Sequence, residues 1–228
     1  MIEKLKDLQH LPLKDFLKEI IGLFPSQVAF STSLSWEDQI ITDAIFSQNL
    51  PIRVFTLDTG RLFPETYSVL NATRGRYNKE IEVYFPETKK VEELVSTKGP
   101  ISFYESLENR KECCFIRKVE PLNRALRGVS VWITGLRSEH SENRQNLSMV
   151  EWDSDREIIK VNPLINWTLD DVKAEIRTKN IPSNVLQDHG FISLGCQPCT
   201  RAVKEGENFR AGRWWWEDST KKECGLHV

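Results

Sequence analysis

Apolar positions in the first two-thirds of the chain alternate between two periods. Residues 12–24 place Leu13, Phe16, Leu17, Ile20, Ile21 and Phe24 at steps of one, three and four, which predicts an amphipathic helix. Residues 27–32 (Gln-Val-Ala-Phe-Ser-Thr) then read as a short buried strand. The pattern repeats: helix over 37–48, strand over 52–57, and a helix entered through Pro64, which suits a first turn. A strand over 81–85, a helix over 88–97, a helix over about 114–127 and a strand over 129–134 follow. Residues 148–152 and 156–161 flank Asp153-Ser154-Asp155 as a hairpin. Thr168 stands as the N-cap of a helix with acids in its first turn (Asp170, Asp171) and bases in its last (Arg177, Lys179). From about residue 192 the periodicity breaks into Cys, Gly, Arg and Trp.

Strand and helix alternating over 27–134 predict an α/β fold: a mostly parallel, doubly wound sheet with helices on both faces. In such sheets ligands sit beyond the carboxyl ends of the strands. Three of those ends are polar or glycine-bearing. The first is the hydroxyl-rich turn Ser31-Thr32-Ser33-Leu34-Ser35-Trp36-Glu37-Asp38, which can offer amides and hydroxyls to an anion or serve as an ordinary helix cap. The second is Leu57-Asp58-Thr59-Gly60, a small turn that lets backbone approach a flat ring. The third, Gly135-Leu136-Arg137-Ser138, leads to Arg144 and carries two arginines. Along one sheet edge they point to a nucleotide or another phosphorylated ligand. Neither a G-x-x-x-x-G-K-[ST] loop nor a G-x-G-x-x-G fingerprint is present, which argues against ATP hydrolysis and hydride transfer.

Composition narrows the classes further. The chain has 228 residues, 39% hydrophobic and 28% charged, enough for one core with an appendage. Lys+Arg 31 against Asp+Glu 33 gives a net charge of −2, so a non-specific nucleic-acid binder is not expected. No apolar run approaches the ~18 residues of a membrane span. The charged N-terminus has no signal-like apolar core, so a cytoplasmic location is expected.

Five cysteines are too few for a disulfide scaffold and odd in number, which suggests reduced thiols with metal or redox roles. Cys113-Cys114 and Cys196-x-x-Cys199 make four thiolates, suited to an iron–sulfur cluster or a structural zinc. A redox C-x-x-C with two buried thiols is the plainer reading. Adjacent cysteines can reach one centre only where the backbone bends, and a helix start is the expected place. Cys224 stands alone near the terminus beside Lys221, Lys222 and His227, whose positive charge favours the thiolate. Between them, Arg210-Ala211-Gly212-Arg213-Trp214-Trp215-Trp216-Glu217 pairs two arginines, planar oxyanion binders, with three tryptophans that cannot all enter one core.

Cys113-Cys114, Lys118, Leu57-Asp58-Thr59-Gly60, Cys196-Gln197-Pro198-Cys199, Arg210-x-x-Arg213-Trp-Trp-Trp-Glu217 and Glu223-Cys224-Gly225-Leu226-His227 together resemble the assimilatory sulfonucleotide reductases, in the iron–sulfur branch. The resemblance runs from about residue 27 to 228. It implies reduction of adenylyl sulfate, or its 3′-phosphorylated form, to sulfite, with thioredoxin or glutaredoxin as reductant. It implies a 4Fe–4S cluster on Cys113, Cys114, Cys196 and Cys199, and Cys224 as nucleophile. The turn bearing Ser31, Ser33, Glu37 and Asp38 would hold the phosphosulfate or ribose. Leu57, Thr59 and Gly135 would face adenine, with Gly60 and Arg137 in the same loops. Lys118, Arg144, Arg210, Arg213 and His227 would surround the phosphosulfate. On this reading residues 1–209 are the nucleotide-binding domain with the cluster, residues 210–228 are a mobile catalytic tail, and a homo-oligomer is left open. The family turn usually reads Ser-x-Gly-Ala-Glu-Asp; here Ser35 and Trp36 replace Gly and Ala, which bears on the 3′-position. Two rivals remain: an ATP pyrophosphatase-type adenylating or thiolating enzyme, whose Ser-Gly-Gly-x-Asp-Ser run is missing, and a four-cysteine zinc interaction module.

Overall fold

The computed structural model describes residues 1–140 and 147–217. Helices α1 (Ile2–Asp7) and α2 (Leu13–Leu23) lead into strand β1 (Val28–Thr32). Then come α3 (Trp36–Phe46), β2 (Arg53–Leu57), α4 (Pro64–Tyr77), β3 (Glu82–Tyr84) and α5 (Thr88–Lys98). Helix α6 (Leu107–Cys114) runs through a π-helical segment, Phe115–Val119, into α7 (Glu120–Ala125). Strands β4 (Val131–Ile133), β5 (Val150–Asp153) and β6 (Ile158–Val161) follow, then α8 (Leu169–Thr178) and α9 (Val185–Asp188).

The six strands form one sheet in the order β3-β2-β1-β4-β6-β5, with every pairing parallel except β5 with β6. The expected doubly wound sheet is present. The expected hairpin also forms, and its second strand, β6, inserts beside β4 in parallel (Val131 opposite Ile159), leaving β5 at the edge.

Strand alternation divides the core between the two faces. Val28, Phe30, Val131, Ile133 and Val161 face one apolar cluster with α2, α3 and α8. Ala29, Phe55 and Trp132 face the other, against Leu122 and Ala125 of α7. Helix α3 is buried along its whole length, including Glu37, Asp38 and Asp43. Thr168 caps α8 in a reciprocal capping box with Asp171, as its sequence suggests. Among the described residues no helix is long and apolar enough to cross a membrane.

Candidate functional site

The order of strands across the sheet reverses at β1 and β4, parallel neighbours from which successive strands are added in opposite directions. Loops diverge at such a point and leave a crevice beyond the strand ends. A cavity of about 200 Å³ opens there. Of the residues proposed from sequence, Ser31, Ser33, Glu37, Asp38, Leu57 and Thr59 line it, as do Lys118, Gly135, Arg210 and Arg213. Arg137 and Gly60 do not. Arg137 is completely buried and bonded to Glu37 (2.9 Å) and Glu139 (2.5 Å), holding the β4 loop to the start of α3. Gly60 serves the turn: at φ +70° its N–H donates to Asp58 Oδ1 (2.8 Å). Arg144, Cys224 and His227 lie outside the described residues.

The β1–α3 turn is built differently from an open anion nest. Leu34 adopts φ +63°. The Ser33 N–H and Oγ both donate to Asp38 Oδ2 at 2.5 Å. The Leu34 N–H donates to Thr32 Oγ1 (3.0 Å), and the Trp36 N–H to Gln187 Oε1 (2.9 Å). Those three amides are therefore committed within the protein. Burial pushes the Asp38 carboxyl up to about 7, opposed by its hydrogen bonds from Ser33 and Gly135 and reinforced by nearby Glu37. A Cβ at position 135 would collide with Asp38 Oδ1, so the glycine is required by close approach. Trp36 belongs to the core beneath the turn, so its bulk does not narrow the cavity; Ser35 is the lining residue.

The opposite wall comes from the irregular C-terminal part. Residues 210–217 begin the expected tail, yet they pack on the body: Trp214 is 1% exposed and its backbone N–H donates to the Cys199 carbonyl (3.1 Å). Arg213 stacks 4.7 Å from the Trp214 ring centroid and donates to the Leu194 carbonyl (2.7 Å). A Cβ on Gly195 would overlap its guanidinium. Arg213 Nε is buried beside the cavity with no hydrogen-bond partner among the described residues, a donor left for something the cavity admits. Glu217 forms a two-pronged pair with the fully buried Arg110 (2.9 and 2.8 Å). Sequence reasoning passed over Trp132, Phe209 and the 192–195 loop, which also line the cavity. The Leu194-Gly195 step before Cys196 was the available signal.

A second cavity, about 20 Å³, adjoins the first and shares Lys118 with it. All four cysteines line it, with Arg61, Arg110 and Arg117. Cys113 and Cys114 end α6 rather than begin a helix. The π-helical segment that follows supplies the local backbone irregularity that adjacent cysteines require. Cys196 and Cys199 flank a single helical turn at Gln197–Cys199. Thr59 joins the two cavities: it lines the first, its Oγ1 lies 3.2 Å from Cys196 Sγ, and its carbonyl accepts from Arg117 (2.7 Å). Burial pushes Cys199 up to about 12, with Cys196 and Cys114 adding to the effect and Arg213 and Lys118 opposing it. Burial likewise raises Cys113, against Arg61 and Arg117.

Among the described residues no three His, Cys, Asp or Glu side chains close around a single ion. The thiols surround a space instead, and cations back them. Four thiols on one small cavity are a donor set that a four-iron cluster, taking one thiolate per iron, could use.

Comparison with known proteins agrees with the fold and extends it. The model of the phosphoadenosine phosphosulfate reductase domain matches residues 27–202. A Sinorhizobium fredii protein named adenosine 5′-phosphosulfate reductase is 48% identical over 221 residues, covering 97% of this chain and 88% of its own. A Burkholderia cepacia protein of the same name is 49% identical over 214 residues (94% and 86%). Among solved structures, the phosphoadenylyl-sulfate reductase of Candida auris, in a phosphate complex, superposes with a TM-score of 0.73 at 30% identity, covering 88% of this chain and 97% of that one.

Proposed function

The chain belongs to the phosphoadenosine phosphosulfate reductase family, and from that premise we propose that it reduces adenylyl sulfate to sulfite and AMP, with the dithiol of thioredoxin or glutaredoxin as electron donor. The observation that carries this reading is a cavity at the sheet's switch point that shares Lys118 with a second cavity lined by four thiols, in a chain about half identical to proteins bearing that name.

The sulfur of adenylyl sulfate is an electrophile because AMP leaves readily. The Cys224 thiolate attacks that sulfur, the S–O bond to AMP breaks, and Cys224 becomes an S-sulfonate. A thiolate of the reductant then attacks Cys224 Sγ, sulfite departs, and the second thiol of the reductant resolves the mixed disulfide. Sulfur gains two electrons and the dithiol loses two. A thiolate approaching a polyanion needs positive charge around it. Lys118, Arg210 and Arg213 face the cavity and supply it, with Arg144 and His227 assigned to the same task. Donors of this kind are each worth about 3–4 kcal/mol to the transition state.

A 4Fe–4S cluster on Cys113, Cys114, Cys196 and Cys199 completes the proposal. Held by those four residues, it would supply a fixed charge centre and a tie between α6 and the Cys196 loop. The pairing of Glu217 with Arg110 ties the last described residue to α6.

The test is to supply adenylyl sulfate and reduced thioredoxin to anaerobically purified protein and follow sulfite and AMP. Equimolar sulfite and AMP are expected. Pyrophosphate release from ATP without sulfite formation would favour the adenylating rival, and zinc in place of iron would favour the zinc module.

A further inference from the structure

The two cavities account for only part of the aromatic run Trp214-Trp215-Trp216. Trp214 is buried and lines the larger cavity, whereas Trp215 is 40% exposed and lines neither. Its ring lies 6.2 Å from that of Tyr104, which in turn lies 4.4 Å from Trp216. Tyr104 (39% exposed) is one turn from Ile101 (60% exposed), whose carbonyl accepts from the Tyr104 N–H (3.0 Å). Ile101, Tyr104 and Trp215 therefore make one exposed apolar patch. Other large exposed apolar side chains sit apart from it: Phe85 follows β3, Trp152 lies on β5 and Val185 begins α9.

A contiguous exposed aromatic surface marks an interaction site. This one is also held in place. The Tyr104 hydroxyl donates to the Pro198 carbonyl, between Cys196 and Cys199 (2.5 Å), and Phe103 is buried in one cluster with Cys113 and Cys199. Rigid aromatic anchors lose little freedom when a partner lands on them.

Reach identifies the partner. Cys224 is seven residues beyond Glu217 in the sequence, and Glu217 is fixed to Arg110. Seven residues span at most about 25 Å. In the second step of the proposed reaction a sulfur of the reductant must touch Cys224 Sγ. The reductant is itself a folded protein, with a radius of gyration of about 13 Å for about 100 residues. Such a body cannot enter a cavity of about 200 Å³. It must stand on the outer surface within that span of Glu217, and Trp215 is two residues from Glu217. Transient redox partners meet over small interfaces, which suits a patch of three side chains.

We propose that Ile101, Tyr104 and Trp215 are the docking surface for the dithiol protein that reduces the Cys224 S-sulfonate. This rests on the proposed function and adds the place where its second substrate lands.

The test isolates the second step. Full-length holoprotein is sulfonated with adenylyl sulfate, freed of nucleotide, and mixed with reduced thioredoxin or with dithiothreitol while sulfite release is timed. Dithiothreitol carries out the same exchange without a protein surface: its thiolate takes Cys224 Sγ, sulfite leaves, and its second thiol closes the disulfide. Ile101→Asp should slow release by thioredoxin about tenfold or more, yet leave release by dithiothreitol within about twofold of the wild type. Trp215→Ser should do the same, and iron content matching the wild type confirms that each variant is folded. An unchanged thioredoxin rate in both variants overturns the inference. An equal fall with both reductants would mean that the patch seats the chain's own terminus, and a halved mass in sedimentation would mean that it seats a second copy. Either result overturns the inference while sulfite formation stands. If the wild type forms no sulfonate at all, the proposed function fails, and the docking surface with it.

Discussion

The two adjoining cavities are built by opposite means. The larger one follows from regular structure: parallel strands end together, the strand order reverses between β1 and β4, and the loops must part. The smaller one follows from irregular structure: a π-helical segment after Cys114, one helical turn at Cys199, and buried arginines packed among thiols. The first can form in any well-folded sheet of this order. The second gathers thiols whose ionised forms are disfavoured by burial and by one another, which raises Cys113 and Cys199. The lesson is that the first cavity depends on strand order, whereas the second depends on local irregularity and on burial that disfavours the thiolate forms of Cys113 and Cys199.

The sharpest break of that comparison removes one sulfur. Cys196→Ser should lose essentially all iron and acid-labile sulfide yet keep AMP affinity within a few-fold, measured by metal analysis and calorimetry. Full iron content would separate Cys196 from the centre.

Next in size is the shared border. Arg213→Lys keeps the charge but loses the planar fork that stacks on Trp214 and reaches the Leu194 carbonyl. We expect kcat/KM for adenylyl sulfate to fall about 10²-fold, with iron content unchanged. An unchanged rate would remove Arg213 from the phosphosulfate.

Asp38 sharpens the nucleotide side through pH. Its folded value lies near 7, above the ordinary 3.8. Below about pH 4 the carboxyl is protonated in both folded and unfolded chains, and its burial costs nothing. As pH rises, the unfolded chain ionises first, so stability is lost until pH passes about 7. Denaturant unfolding from pH 4 to 8 should show the wild type losing up to about 4 kcal/mol relative to Asp38→Asn. A flat difference would mean the carboxyl is not held in that state.

The smallest effect is a control remote from both cavities. Thr168→Ala removes the α8 cap and should cost about 1 kcal/mol. Iron content and nucleotide affinity should stay as they were.

Legibility in the sequence followed the same divide. The strands leading to the nucleotide cavity were readable because they are short apolar runs bounded by polar turns, and so were the three loops that line it. Arg137 shows the limit: a loop arginine looks like an anion binder until its partner, Glu37, a hundred residues earlier, is known to face it. The same holds for Arg110 with Glu217, and for Arg117 with the Thr59 carbonyl. Pairing across such separations leaves no local pattern. The four cysteines were found by chemistry and spacing, but the bend at Cys113-Cys114 was expected at a helix start. It lies at a helix end, because a π-helical segment has no hydropathy period of its own. Trp214 lay within a recognised motif, but its depth was hidden, since three tryptophans in a row give no sign of which is buried.

Transfer of sulfur to a protein thiol is the central claim, and one measurement reaches it directly. Full-length protein incubated with adenylyl sulfate in the absence of reductant should carry a single sulfonate, located by peptide mass spectrometry on Cys224 and released as sulfite when thioredoxin is added. A sulfonate on another residue, or sulfite formed at the normal rate by Cys224→Ser, would contradict it.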